Sequence, residues 1–125
     1  FTCSIHSESN FPFEKKQGWM DIGLPAGTKD QAYLETLSQT LDSIQSSLTP
    51  DLILFDAGID VYTNDGLGNL ELSIEGIRKR DQLVFQHFRG RGIPVATVIG
   101  GGYSQDRQEL ASRHGLIFES AINYL

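Results

Sequence analysis

Two short apolar runs constrain this chain more than any other feature. Residues 51–55 (Asp-Leu-Ile-Leu-Phe) and 93–99 (Ile-Pro-Val-Ala-Thr-Val-Ile) have the length of strands. Continuous apolar character over that length predicts strands covered on both faces. Each is followed by polar or Gly-containing sequence and then by apolar residues at helical spacing. Strand–helix alternation of this kind implies a parallel sheet with helices against its faces. In such sheets ligands bind beyond the carboxyl ends of the strands. Chemistry is therefore expected in Phe55-Asp56-Ala57-Gly58-Ile59-Asp60 and in Gly100-Gly101-Gly102-Tyr103.

The remaining elements follow the same logic. Phe1, Cys3 and Ile5 alternate with polar residues in a short strand ending at His6, and residues 7–18 form a loop rich in Ser, Asn and Pro. Met20, Ile22 and Leu24 alternate again, and Pro25 and Gly27 close that strand. Thr28 and Gln31 have the spacing of a capping box. Tyr33, Leu37, Leu41, Ile44 and Leu48 then recur at helical spacing up to Pro50. Residues 56–72 are a long polar connection, of the kind that is functional or disordered in compact domains. Ser73 caps a second helix with the stripe Ile74, Ile77, Val84 and Phe88, ended by Gly90. Leu110, His114, Ile117, Ala121 and Leu125 mark a third, with Gly115 weakening it.

Composition limits the function classes. At 125 residues the chain holds one domain at most. Ten Lys plus Arg against 16 Asp plus Glu give a net charge of −6 without any basic run, which argues against a nucleic-acid backbone as partner. No segment reaches the apolar length of a membrane span. The single Cys3 rules out an internal disulfide, suits a reducing, cytoplasmic compartment, and reads as a small buried hydrophobe.

Asp56 and Asp60 flank a Gly at a strand end, and Asp65 follows in the same loop. Carboxylates so placed bind a cation or act as acid and base, or else cap turns. The Gly100–Gly102 run allows backbone N–H groups to approach a phosphate, or simply permits a tight turn. Tyr103 is a candidate donor to an oxyanion, or a cap of the following helix. Phe11-Pro12-Phe13 is a wall for a narrow cleft or a satellite core. His6 is a ligand, a base or a hydrogen-bonded structural residue, His87 has no obvious partner, and His114 reads as a satisfied core residue.

Ser4-Ile5-His6, Asn10-Phe11-Pro12-Phe13, Leu24-Pro25-Ala26-Gly27-Thr28, Asp56-Ala57-Gly58-Ile59-Asp60, Asn64-Asp65-Gly66-Leu67-Gly68 and Gly100-Gly101-Gly102-Tyr103 occur in that order. Over essentially its whole length the chain thereby resembles the C-terminal part of the zinc-dependent histone deacetylase superfamily, nearest its bacterial and class IV members. The resemblance implies an incomplete three-layer α/β fold of the arginase/deacetylase type, a parallel sheet with helices on its faces. It implies hydrolysis of N-acetyl-lysine or a similar N-acyl amine. Asp60 corresponds to an aspartate ligand of the catalytic zinc, and Asp56 to a variable position. Tyr103 corresponds to the tyrosine that hydrogen-bonds the substrate carbonyl. Phe11, Gly101 or Gly102 would line the acyl-lysine channel, with Leu67 at its rim. Ser4 and Ile5 correspond to a pair at a structural monovalent-cation site, such as potassium.

The chain departs from that family in one respect. It contains neither the Asp-x-His that supplies two further zinc ligands nor the adjacent His pair used in acid–base work. The expectation is a C-terminal piece of a deacetylase-like domain that is inactive alone, holds zinc poorly, and exposes an apolar face favouring association, including with a second copy. Two other readings stand beside it: a non-catalytic dimerising or partner-binding module, and a small-ligand or phosphate-binding domain using the Gly turn.

Overall fold

The computed structural model describes residues 1–125. The elements in chain order are β1 (Cys3–Ser7), β2 (Met20–Leu24), α1 (Asp30–Ser47), β3 (Ile53–Asp56), α2 (Ile74–Arg89), β4 (Val95–Val98) and α3 (Arg107–Ile122). The α/β class and the parallel pairing agree with the sequence. The strands form two separate parallel ladders, however, β1 with β2 and β3 with β4. Residues 8–19 make the long connection that parallel neighbours require. No helix is long and apolar enough to cross a membrane.

The core is built from one face of each helix. Tyr33, Leu37, Leu41 and Ile44 of α1 share one core with Ile77, Val84 and Phe88 of α2, and Leu24 and Leu72 belong to it. Their spacing puts each set on one helical stripe, so burying it both fixes the helices and removes apolar surface from water. The long connection of residues 56–72 is part of this core, contrary to its polar reading. Ala57, Ile59, Val61, Leu70 and Leu72 are all buried, because alternate residues there point inward while the polar ones face out.

Helix starts are set by side chains. Ser73 Oγ accepts from Gly76 N–H at 3.0 Å, as its position predicts. Asp30 accepts from both Ser73 N–H (2.8 Å) and Ser73 Oγ (2.6 Å), pinning the start of α1 to the start of α2. The Thr28–Gln31 capping box does not form. The N-cap is Lys29, one residue later, so Thr28 Oγ1 donates to Pro25 O and Gln31 Nε2 to Glu35 instead. In α3 the cap is Asp106, which accepts from Gln108 and Glu109 N–H, so Tyr103 has no capping role. The helix ends at Ile122, and Leu125 lies beyond it, fully exposed.

The strands are covered on one face only. Ile53 and Phe55 pack inward, whereas Leu52, Leu54 and Val98 are exposed, Leu54 to 80 %. Two-sided burial of β3 and β4 is therefore not realised within this chain, and the bare apolar face that the sequence reading anticipated is present. Cys3 is also exposed, at the outer end of β1, and is not a core residue.

Candidate active site

At the end of β3 the chain turns through Ala57 and Gly58, and α2 fixes that corner. Arg80 donates to the carbonyls of Gly58 and Ala57 and, at 2.8 Å, to Asp81 Oδ1. Arg80 and Asp81 are both buried, so the pair is the internal anchor of the turn. Beyond it stands Asp60, half-buried. Burial first, then the neighbouring Asp65 and Asp56 carboxylates, push its carboxyl above the ordinary range against the weaker pull of its own backbone N–H and Arg80.

The end of β4 meets this corner directly. Ala57 N–H donates to Val98 O and Ile59 N–H to Gly100 O, both at 3.0 Å. Gly101 then adopts φ +55°, and a Cβ placed there would lie 2.5 Å from the Asp60 carboxyl carbon. Glycine is thus required twice over, for the left-handed backbone and for the close approach. Gly102, at φ +91°, backs onto Ile59 and Leu110 instead. The carboxylates of Asp56 and Asp60 beside Gly100 and Gly101 would repel a phosphate, which removes the basis of the phosphate-cradle reading.

Tyr103 is bound to the Asp60 loop by its backbone. Its N–H donates to Asp65 Oδ2 at 2.7 Å, and its carbonyl accepts from Gly66 N–H at 3.0 Å. The other Asp65 oxygen accepts from Leu67 and Gly68 N–H. The Tyr103 side chain itself is half-exposed.

A cleft of about 340 Å³ opens on the other side of Asp60, with Ser4, Ile5, His6, Phe11 and Asp60 in its wall. Leu67, Gly101, Gly102 and Tyr103 are not in that wall. Leu67 is joined to it through Asn10, whose Nδ2 donates to Leu67 O at 3.0 Å. Phe11 and Phe13 meet edge to face but are both about 80 % exposed, so they form no satellite core. Ser4 Oγ is engaged with His6 Nδ1 at 2.8 Å, which makes His6 a hydrogen-bonded residue and gives no support to a potassium site. His114 is not satisfied: its Nδ1 is buried without a partner, as is Nε2 of His87.

Three residues matter more than their sequence context suggests: Asp65, Arg80 and Arg113. Arg113 is buried on α3, 3.7 Å from Asp65 Oδ2. The available signal was its spacing with Leu116, Ile117 and Ser120, which places an arginine on the buried stripe. No group of three or more His, Cys, Asp or Glu side chains is close enough to hold a metal ion.

Comparison with known proteins gives the family and the fold. A family model for the histone deacetylase domain matches residues 1–116. An uncharacterized protein of Picosynechococcus sp. is 41 % identical over 121 residues, covering 97 % of this chain and 40 % of its own length. Histone deacetylase 2 of Arabidopsis thaliana is 30 % identical over 127 residues, covering 94 % of this chain and 33 % of its own. The crystal structure of an HDAC homolog from Aquifex aeolicus superimposes with a TM-score of 0.77 at 28 % identity, over 97 % of this chain and 35 % of that one. An HDAC homolog complexed with SAHA gives 0.75 at 27 % identity, with the same coverage. The chain thus spans about a third to two-fifths of the length of these relatives. The parallel ladders, the Gly turn seated on Asp60 and a domain match over nearly every residue lead to one assignment: the chain belongs to the histone deacetylase family.

Proposed function

We propose that the protein carrying this chain is a zinc-dependent amidohydrolase that removes the acyl group from N-acetyl-lysine or a similar N-acyl amine. The observation that carries this reading is the convergence of two distant segments. Gly101 rests on the Asp60 carboxylate, and Tyr103 hangs by its N–H from Asp65. The Arabidopsis relative is named a histone deacetylase and a similar solved structure holds SAHA, which support the same reading.

The residues present fit part of a metal site. Burial first, then the neighbouring Asp65 carboxylate, raises the Asp60 carboxyl, and a bound cation would offset both. Asp60 would hold the zinc, whereas both Asp65 oxygens are already taken by backbone N–H groups. Bound zinc supplies polarisation of the acyl carbonyl and acidification of water. This chain's own residues do the rest of its share. The Tyr103 hydroxyl donates to the carbonyl oxygen, most strongly as negative charge develops there. Gly101 leaves the space that the Asp60 carboxylate itself occupies. Phe11 and Leu67, linked through Asn10, flank the entrance. None of the three histidines is assigned a proton-transfer role, since His6 is bound to Ser4 and the other two lie on α2 and α3. A cytoplasmic location belongs to the same reading and suits a free, exposed Cys3.

Acetate release from an N-acetyl-lysine peptide and from an N-acetylated polyamine, followed with the full-length protein, tests this proposal. Turnover lost with chelator and restored by zinc is expected, together with loss of bound zinc in Asp60→Asn. Zinc retained in full by that variant would move the metal away from Asp60. A second reading, a non-catalytic module that associates with a partner or a second copy, is favoured by the exposed Leu52, Leu54 and Val98. It requires no turnover at any zinc concentration.

A further inference from the structure

We propose that Arg113 is a positioning residue for Tyr103, acting through Asp65. The inference rests on the role given to Tyr103 above. The Arg113 side chain is 2 % exposed, and a buried cation persists only where charge or dipoles compensate it. None of its N–H groups makes a hydrogen bond. Its compensation is instead charge and stacking: Asp65 Oδ2 at 3.7 Å, Glu109 Oε1 at 3.6 Å, and the Tyr62 ring 4.7 Å below the guanidinium. Arg80 offers the contrast, because its N–H groups are bound to Ala57 O, Gly58 O and Asp81.

The oxygen that faces Arg113 is the one that accepts the Tyr103 N–H. Any shift of that oxygen toward or away from Arg113 moves the tyrosine backbone with it. The other side of Tyr103 is fastened to the same arginine. Ser104 Oγ donates to Glu109 at 2.9 Å, and Glu109 pairs with Arg113 one helical turn on. Tyr103 therefore sits between two links, Asp65 and Ser104–Glu109, that close on one guanidinium. A planar, delocalised cation stacked on Tyr62 suits this place; a lysine would not reproduce the stack. Anchoring α3 to the loop sets where the phenol stands, and a displacement of about 1 Å at a reacting group costs on the order of 100-fold in rate.

The test is a double-mutant cycle in the full-length protein, with kcat and KM on an N-acetyl-lysine peptide. Arg113→Met is expected to lower kcat on the order of 30- to 100-fold, with KM changed less than about threefold. In a Tyr103→Phe background the same change should cost less than about twofold, because the group it positions is gone. A purely structural arginine would lower both backgrounds by the same factor, and that result, or an unchanged kcat, would overturn the proposal. Should Arg113→Met fail to fold, Tyr62→Leu, which removes the stack without stranding a charge, must show the same coupling in milder form. Full kcat in Tyr103→Phe alone is a separate result, which would remove the role of Tyr103 itself.

Discussion

The backbone N–H of Tyr103 donates to Asp65 Oδ2 at 2.7 Å, across 38 positions of sequence. Gly66 N–H returns the link to Tyr103 O at 3.0 Å. Two segments that leave neighbouring parallel strands are thereby locked into one surface. A charge-assisted bond to a buried carboxylate is stronger than one between neutral groups, so the lock is stiff. Ile59 N–H to Gly100 O extends the β3–β4 ladder into the same corner.

Gly101→Ala should show how tight that corner is. The new Cβ would fall 2.5 Å from the Asp60 carboxyl carbon at φ +55°, and the left-handed backbone alone costs about 1–2 kcal/mol for an L-residue. Urea unfolding is expected to shift to lower denaturant. Gly115→Ala is the control: inside α3, with nothing within 4 Å, it should stabilise by about 1 kcal/mol. Equal effects of both would contradict the close approach.

Asp30→Ala removes the carboxylate that receives both Ser73 N–H and Ser73 Oγ. Hydrogen bonds to a charged group are worth about 1.5–3 kcal/mol each at most, so a loss of about 2 kcal/mol is expected by chemical denaturation. A change within about 0.5 kcal/mol, the range of ordinary surface substitutions, would show that the helix starts are not coupled through this residue.

These two cases also show what the sequence made legible. The strand–helix order, the Gly turn, the buried stripes of α1 and α2 and the Ser73 cap all follow from spacing, because each is a local pattern. The Asp30–Ser73 tie, the Arg80 anchor and the Asp65–Tyr103 bond join positions far apart in sequence, and no local pattern encodes them. The Thr28 capping box failed by one residue of register, which side-chain types alone do not fix. Leu52 and Leu54 misled for a different reason. Their apolar character predicts cover on two faces, and this chain supplies only one.

Acid should weaken the fold through two histidines. Burial first, then Arg91 for His87 and Arg113 for His114, hold both below the ordinary value of 6.5, although Asp42 and a backbone bond partly offset this at His87. Between 6.5 and the lowered values the unfolded chain binds more protons, so stability falls as pH falls through that window. Asp60 acts oppositely at lower pH: raised above 3.8, its carboxyl holds a proton more firmly when folded, and stability is lost as pH rises through that range. The double variant His87→Gln, His114→Gln should flatten the slope of unfolding free energy between pH 7 and 5. An unchanged slope would mean that neither ring is held neutral by the fold.

Isolated residues 1–125 are expected to bind no stoichiometric zinc, since the chain brings neither of the two further ligands that would join Asp60. Metal analysis after gel filtration gives the answer. Tight zinc that disappears in Asp60→Ala would show that a second copy completes the site.

The central proposal is that Tyr103, tied by its backbone to Asp65, stabilises the oxyanion of amide hydrolysis. The direct measurement is kcat for acetate release from an N-acetyl-lysine peptide by the full-length protein and its Tyr103→Phe variant. A fall of about 100-fold with little change in KM is expected from loss of one oxyanion donor. Turnover that survives the substitution undiminished would contradict the account.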